Sequence, residues 1–186
     1  MNHLRMLARP RTSRHRLRCI ALAALVAVPA WALGDAPSRE DQIKAALVYK
    51  IAKFIEWPAD AVRDGVLVFC AFGDSPVVAA LAAIEGRAVR AYRAKFSRLE
   101  APAGAVAGGC HVLYLATGAV RDRTPVAHGG RAILTVGDSE DFAVRGGMVG
   151  LVSSGNRVSF EINLRAARAA GIRIAAPLLE LADVVE

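Results

Sequence analysis

Three short, largely apolar runs constrain this chain more than any other feature: Val66 to Phe72, Cys110 to Leu115 and Ala132 to Val136. Each has strand length and none alternates polar with apolar residues, so each predicts a strand buried on both faces. Such strands need cover on both sides of a sheet, and the intervening segments supply it. Ser38, followed by Glu40, Asp41 and Gln42, reads as an N-cap with an acidic first turn. Ile43, Leu47, Ile51 and Phe54–Ile55 then recur at helical spacing, predicting an amphipathic helix that ends before Trp57-Pro58. Gly73-Asp74-Ser75-Pro76 is a turn feeding a second helix, Val77 to Glu85, which Gly86 stops.

Arg87 to Phe96 alternates polar with apolar residues and predicts a strand solvated on one side. Met148 to Val152 and Val158 to Ile162 flank Ser153-Ser154-Gly155-Asn156, which is hairpin chemistry. Asn163 to Ala170 reads as a short helix stopped by Gly171, and Leu178 to Val184 as a terminal helix with Pro177 in its first turn. The Ala/Gly-rich stretch Ala101 to Gly109 reads as a surface loop. Strands alternating with helices predict a single-domain α/β sandwich: a largely parallel central sheet flanked by helices, with a late antiparallel hairpin.

Charge enters the argument at the N-terminus. The chain of 186 residues carries 24 basic and 17 acidic residues, net +7, which would ordinarily point to nucleic acid or an anionic surface. Six of those arginines fall within residues 1–18, which contain no Asp or Glu. An apolar run from Cys19 to Val28 and an Ala30-Trp31-Ala32 exit follow. Residues 1–32 therefore read as a secretory signal peptide, with Gly34 as an alternative cleavage point. The run is too short for a membrane anchor, which needs about 20 apolar residues. Its removal leaves 18 basic against 17 acidic residues, net +1, and the nucleic-acid inference loses its basis. Residues 35–186 form the expected domain, in the periplasm. Cys70 and Cys110 then read as a disulfide in an oxidising compartment, the alternative being two buried thiols.

No enzyme signature survives inspection. Gly73-Asp74-Ser75-Pro76 lacks the second Gly of a nucleophile elbow and the Lys of a phosphate loop. His111, opening a strand, is best explained as satisfied by backbone, and His128 sits in a Gly-rich turn. Neither belongs to a zinc-binding spacing. Asp138, Glu140 and Asp141 lack calcium-loop spacing and read as solvated turn carboxylates; Gly146-Gly147 reads as a tight turn. The expectation is no catalytic residue, no cofactor and no metal.

Several segments, in order, resemble one family. Gln42-Ile-Lys-Ala-Ala-Leu-Val-Tyr-Lys-Ile-Ala-Lys-Phe-Ile-Glu-Trp-Pro58 is similar to the opening helix of YfiR-type periplasmic proteins. Phe69 to Asp74, Gly109 to Tyr114, Ile133 to Asp138, and Phe142 through Gly146-Gly147-Met148 resemble its next segments. Val158-Ser-Phe-Glu-Ile-Asn-Leu-Arg-Ala-Ala167 resembles its F-E-I-N-L-x-A-A signature, and Leu178 to Ala182 its terminal L-L-x-L-A. The resemblance covers essentially all of the exported chain.

That resemblance implies a non-enzymatic periplasmic regulator, typically dimeric. Such a protein binds the sensory domain of an inner-membrane diguanylate cyclase, keeping cyclic-di-GMP low and restraining biofilm formation. It also implies sequestration by an OmpA-like outer-membrane lipoprotein, and it places a bridge at Cys70 and Cys110. Some members carry another cysteine pair near the late hairpin, whereas Val144 to Ser154 here has none. A partner surface is expected at Glu161, Ile172, Arg173, Ile174 and Leu178, weighed against plain core packing of the apolar members. The competing reading is a periplasmic small-molecule-binding or sensing module, because open α/β sheets hold ligands at strand C-termini. A hydrolase using Ser75 stands third.

Overall fold

The computed structural model describes residues 36–119 and 130–185. The expected signal peptide, residues 1–32, and His128 lie outside the described residues. The first helix, α1 (Arg39–Ala52), begins as its sequence predicts: Ser38 Oγ accepts from the Asp41 amide at 3.2 Å while Asp41 accepts from the Ser38 amide at 2.8 Å. This reciprocal capping box satisfies two otherwise orphaned donors. The buried face differs from expectation. Ala45, Val48, Tyr49, Ile51 and Ala52 face the core, whereas Ile43 is 38% exposed. The helix stops at Ala52, so Phe54 and Ile55 leave its surface, and Ile55 enters the two-residue strand β1 (Ile55–Glu56).

Strand β2 (Val66–Phe72) leads through Ser75, whose hydroxyl accepts from the Val78 amide at 3.3 Å, into α2 (Pro76–Leu81). A 3-10 turn, Ala82–Ile84, ends that helix ahead of Gly86. The predicted strand Arg87–Phe96 is two strands, β3 (Ala88–Val89) and β4 (Tyr92–Leu99), reversed at Arg90, whose φ is +54°. The expected loop Ala101–Gly109 contains a helical turn, α3 (Gly104–Ala107), which buries Ala105. Strands β5 (Val112–Leu115) and β6 (Leu134–Gly137) are buried along their whole length.

Strands β7 (Val149–Ser154) and β8 (Arg157–Asn163) form the expected antiparallel hairpin, with Gly155 at φ +57° in its two-residue turn. Asn163 caps α4 (Leu164–Ala169) by accepting from the Ala166 amide at 2.8 Å. The expected terminal helix Leu178–Val184 is a correction. A single turn, α5 (Ala176–Leu179), follows strand β9 (Arg173–Ile174), and the chain continues into strand β10 (Asp183–Val185).

The main sheet has the order β10-β8-β7-β6-β5-β2-β4-β3. Strand pairs from β7 through β4 are parallel, as is β10 with β8, while β7–β8 and β3–β4 are antiparallel. Strands β1 and β9 make a separate antiparallel ribbon that pairs Ile55 with Ile174. One core gathers α1 and α2 with Leu67, Phe69, Val112, Tyr114, Val136, Phe160 and Ile162. A second, smaller core holds Cys70, Cys110, Leu113, Leu115, Ile133 and Ala105, with Phe142 packed against it.

Candidate functional site

Chemistry-bearing side chains gather where parallel strands β2, β5 and β6 end. Asp138 follows β6 directly, and its side chain is 8% exposed. One carboxylate oxygen accepts from both the amide and the hydroxyl of Thr117, each at 2.9 Å. The other lies 3.5 Å from the Lys44 ammonium, which also pairs with Glu40 at 3.0 Å. Ser153 on the hairpin donates to that same Glu40 at 2.6 Å. Burial opposes the Lys44 charge, but Glu40 and Asp138 together hold its ammonium above the ordinary lysine value. The Ser153 hydrogen bond, then Lys44, hold Glu40 below the ordinary carboxylate value. Asp138 is thus a buried organising carboxylate, which corrects its reading as a solvated turn residue.

Tyr114 lies beside this network. Its hydroxyl is buried and has no hydrogen-bond partner among the described residues. Burial, and then the Asp138 charge, push the phenol far above its ordinary value, so it remains protonated. The network joins α1, the β5 and β6 termini and the hairpin through ion pairs and hydrogen bonds that already engage one another. Its chemistry is positional.

Cys70 on β2 and Cys110 just before β5 are bonded, with Cα atoms 5.8 Å apart, inside the smaller core. Beside them, His111 accepts from the Val68 amide through Nδ1 at 2.9 Å and donates from Nε2 to the Ala61 carbonyl at 3.0 Å. Only the neutral Nε2–H tautomer satisfies both bonds. Burial pushes His111 below its ordinary value, and the Arg131 charge adds to this against the Ala61 bond. Backbone satisfaction is thus what the structure shows at His111.

The residues expected at a partner surface divide between two sheets. Glu161 is half-buried on β8, its carboxylate close over Gly150. Arg173 is exposed on the β1–β9 ribbon opposite Glu56, and Ile174 is half-buried beside Ile55. Ile172 and Leu178 are 1% and 3% exposed and belong to the main core, so they present no surface here. Between Glu161 and that ribbon, Asn163 donates to the Ala143 carbonyl at 2.9 Å and ties the loop before β7 to the start of α4.

Sequence reasoning missed the Lys44–Asp138–Thr117 network. The available signal was an Asp placed just beyond a buried-strand run, Ala132 to Val136. A shallow groove lies between α1 and the hairpin, lined by Arg39, Ile43, Asn156, Arg157 and Val158. Among the described residues, no group of three or more His, Cys, Asp or Glu side chains is placed to hold a metal ion.

The YfiR/HmsC-like family model (DUF4154) matches residues 41–183. The chain belongs to the YfiR/HmsC-like family. The match runs from within α1 to the first residue of β10, so Lys44, Asp138, the Cys70–Cys110 bridge and Asn163 all fall inside the YfiR/HmsC-like region. No curated protein matches the chain. One solved structure similar to it is a conserved domain protein from Vibrio cholerae O1 biovar El Tor, with 13% identity and a TM-score of 0.45. The likeness covers 78% of this chain and 60% of that one.

Proposed function

We propose that the chain is an exported, non-enzymatic regulator that binds the periplasmic sensory domain of an inner-membrane diguanylate cyclase and holds the enzyme inactive. Cyclic-di-GMP then stays low and biofilm formation is restrained. The observation that carries this reading is membership of the YfiR/HmsC-like family across residues 41–183. The Cys70–Cys110 bridge supports an oxidising compartment. No helix among the described residues is long and apolar enough to cross a membrane. An OmpA-like outer-membrane lipoprotein as sequestering partner, and a homodimer as the working form, belong to the same proposal.

A regulator of this kind must bind one cyclase state better than another, because equal affinity for both shifts nothing. Glu161, Arg173 and Ile174 are the expected residues that retain surface, and we assign contact with the cyclase to them. Deleting the gene should raise cyclic-di-GMP, and the exported form alone should restore it. Unchanged levels would overturn the reading. Glu161→Lys and Arg173→Glu should each weaken capture of the cyclase sensory domain roughly tenfold or more, the effect of losing about 1.4 kcal/mol. The melting temperature should stay nearly unchanged. A large loss of stability with intact capture would remove these residues from the interface.

A further inference from the structure

The charges of the described residues are unevenly placed. Lys53 at the C-cap of α1 and Arg87, Arg90, Arg93 and Lys95 on the β3–β4 hairpin gather at one edge of the sheet. The Tyr49 ring joins the two elements: Lys53 lies 4.5 Å from its centroid and Arg87 4.9 Å. The Tyr49 hydroxyl donates to the Ala88 carbonyl at 2.5 Å. Arg93 reaches the Gly86 carbonyl at 3.3 Å, and Arg90 occupies the hairpin tip. The nearest carboxylates in sequence are Glu56, three residues after Lys53, and Glu85, which accepts from the Phe96 amide at 2.6 Å. Among the described residues none of the five cations has a carboxylate within ion-pair distance.

Basic residues protect an open sheet edge from pairing with another chain. On β4 that edge is already covered: Arg93 pairs with Ala88, Ala94 exchanges backbone bonds with Gly86 and Arg87, and Glu85 accepts from the Phe96 amide, while Lys53 and Arg87 are fixed on the Tyr49 ring. The patch also lacks an apolar centre. Of the large apolar side chains that stand exposed, Val144, Leu181 and Val184 lie on other elements and Ile43 lies in the first half of α1, more than two turns from Lys53. A protein interface normally has such a centre. Single-stranded nucleic acid needs aromatic faces for stacking, and Tyr49 is buried between two cations. A planar array of phosphates asks only for clustered, exposed positive charge.

We infer that this edge docks the protein against an anionic phospholipid bilayer. The inference stands independently of the proposed cyclase partner. The test uses protein purified from the periplasm and two kinds of vesicle: pure phosphatidylcholine, and equal parts phosphatidylcholine and phosphatidylglycerol. Co-sedimentation is expected with the mixed vesicles only. It should disappear when salt rises from about 0.1 M to about 1 M, as the screening length falls from about 10 Å to about 3 Å.

The triple variant Arg87→Glu, Arg90→Glu, Lys95→Glu should bind at least about tenfold more weakly, since each basic residue near such a surface contributes severalfold. A second triple variant, Arg39→Glu, Arg157→Glu, Arg165→Glu, carries the same net charge. Its β8 position lies five strands from β4, roughly 24 Å across the sheet at about 4.8 Å per strand. This variant should bind like the parent. If the first triple fails to fold by circular dichroism, Arg90→Gln with Lys95→Gln should still weaken binding severalfold. No sedimentation with mixed vesicles overturns the inference. So does equal loss in both triple variants, or retention on immobilised DNA without vesicle binding.

Discussion

His111 fits its site in one charge state. Its Nδ1 must accept from Val68 and its Nε2 must donate to Ala61, and a second ring proton would meet the Val68 N–H. The unfolded chain takes up this proton near pH 6.5, the ordinary histidine value, whereas the folded chain takes it up only at lower pH. Between those two values the unfolded state binds more protons. Stability is therefore complete above about pH 6.5 and falls as the solution is acidified toward the folded-state value. His111→Gln should flatten this part of a melting-temperature profile, and an unchanged acid slope would refute the role. Asp138 offers a second test at the same scale. Asp138→Ala strands two Thr117 donors and half of the Lys44 pairing, at a cost of roughly 1–3 kcal/mol. Asp138→Asn keeps the acceptor for Thr117 and should lose less in a urea titration.

Between β6 and β7, the loop is shaped around Phe142. A side chain on Gly137 or Gly147 would overlap that ring, so both glycines are required by close approach, and Gly147 does more than serve the tight turn expected at Gly146-Gly147. Gly147→Ala should destabilise by about 1–3 kcal/mol, the usual cost of overpacking. Combined with Phe142→Leu, the loss should be less than the two separate losses summed, since the smaller side chain vacates the space; strict additivity would refute the packing argument.

Elements announced by apolar runs or by turn chemistry were readable in the sequence: β2, β5, β6, the late hairpin, and the cap at Ser38. The face of α1 was not. Counting Ile43 and Leu47 overlooked Ala45 and Ala52, whose small side chains lie buried in the core that α1 shares with α2. Strands β1 and β9 have two residues each, too few for any period to register. Pro177 marks the start of a helix correctly but carries no information about its length. Val184 reads as the end of a helix because an edge strand of three residues shows no alternation. Of the candidate surface, only Glu161, Arg173 and Ile174 could be placed outside the core. Apolar spacing around Ile172 and Leu178 signals burial without saying against what.

At the scale of the whole molecule, the Cys70–Cys110 bridge joins β2 to the approach of β5 across a sequence separation of 40. Limiting the unfolded chain in this way contributes about 3–4 kcal/mol in the chain-entropy account. Replacing both cysteines by Ala should lower the melting temperature by roughly 10 °C. No change would mean that the small core around the bridge repacks without it. The same connectivity also sets how the molecule carries load. Tension applied at its two ends passes from Cys70 directly to Cys110, so α2, β3 and β4 hang outside the force path as a closed covalent ring. Pulled to full extension, the oxidised chain should fall short of the reduced one by about 130–140 Å, forty residues at about 3.4 Å each. The basic hairpin, carried on that ring, lies outside the covalent force path and is loaded through noncovalent contacts such as the pairing of β4 with β2.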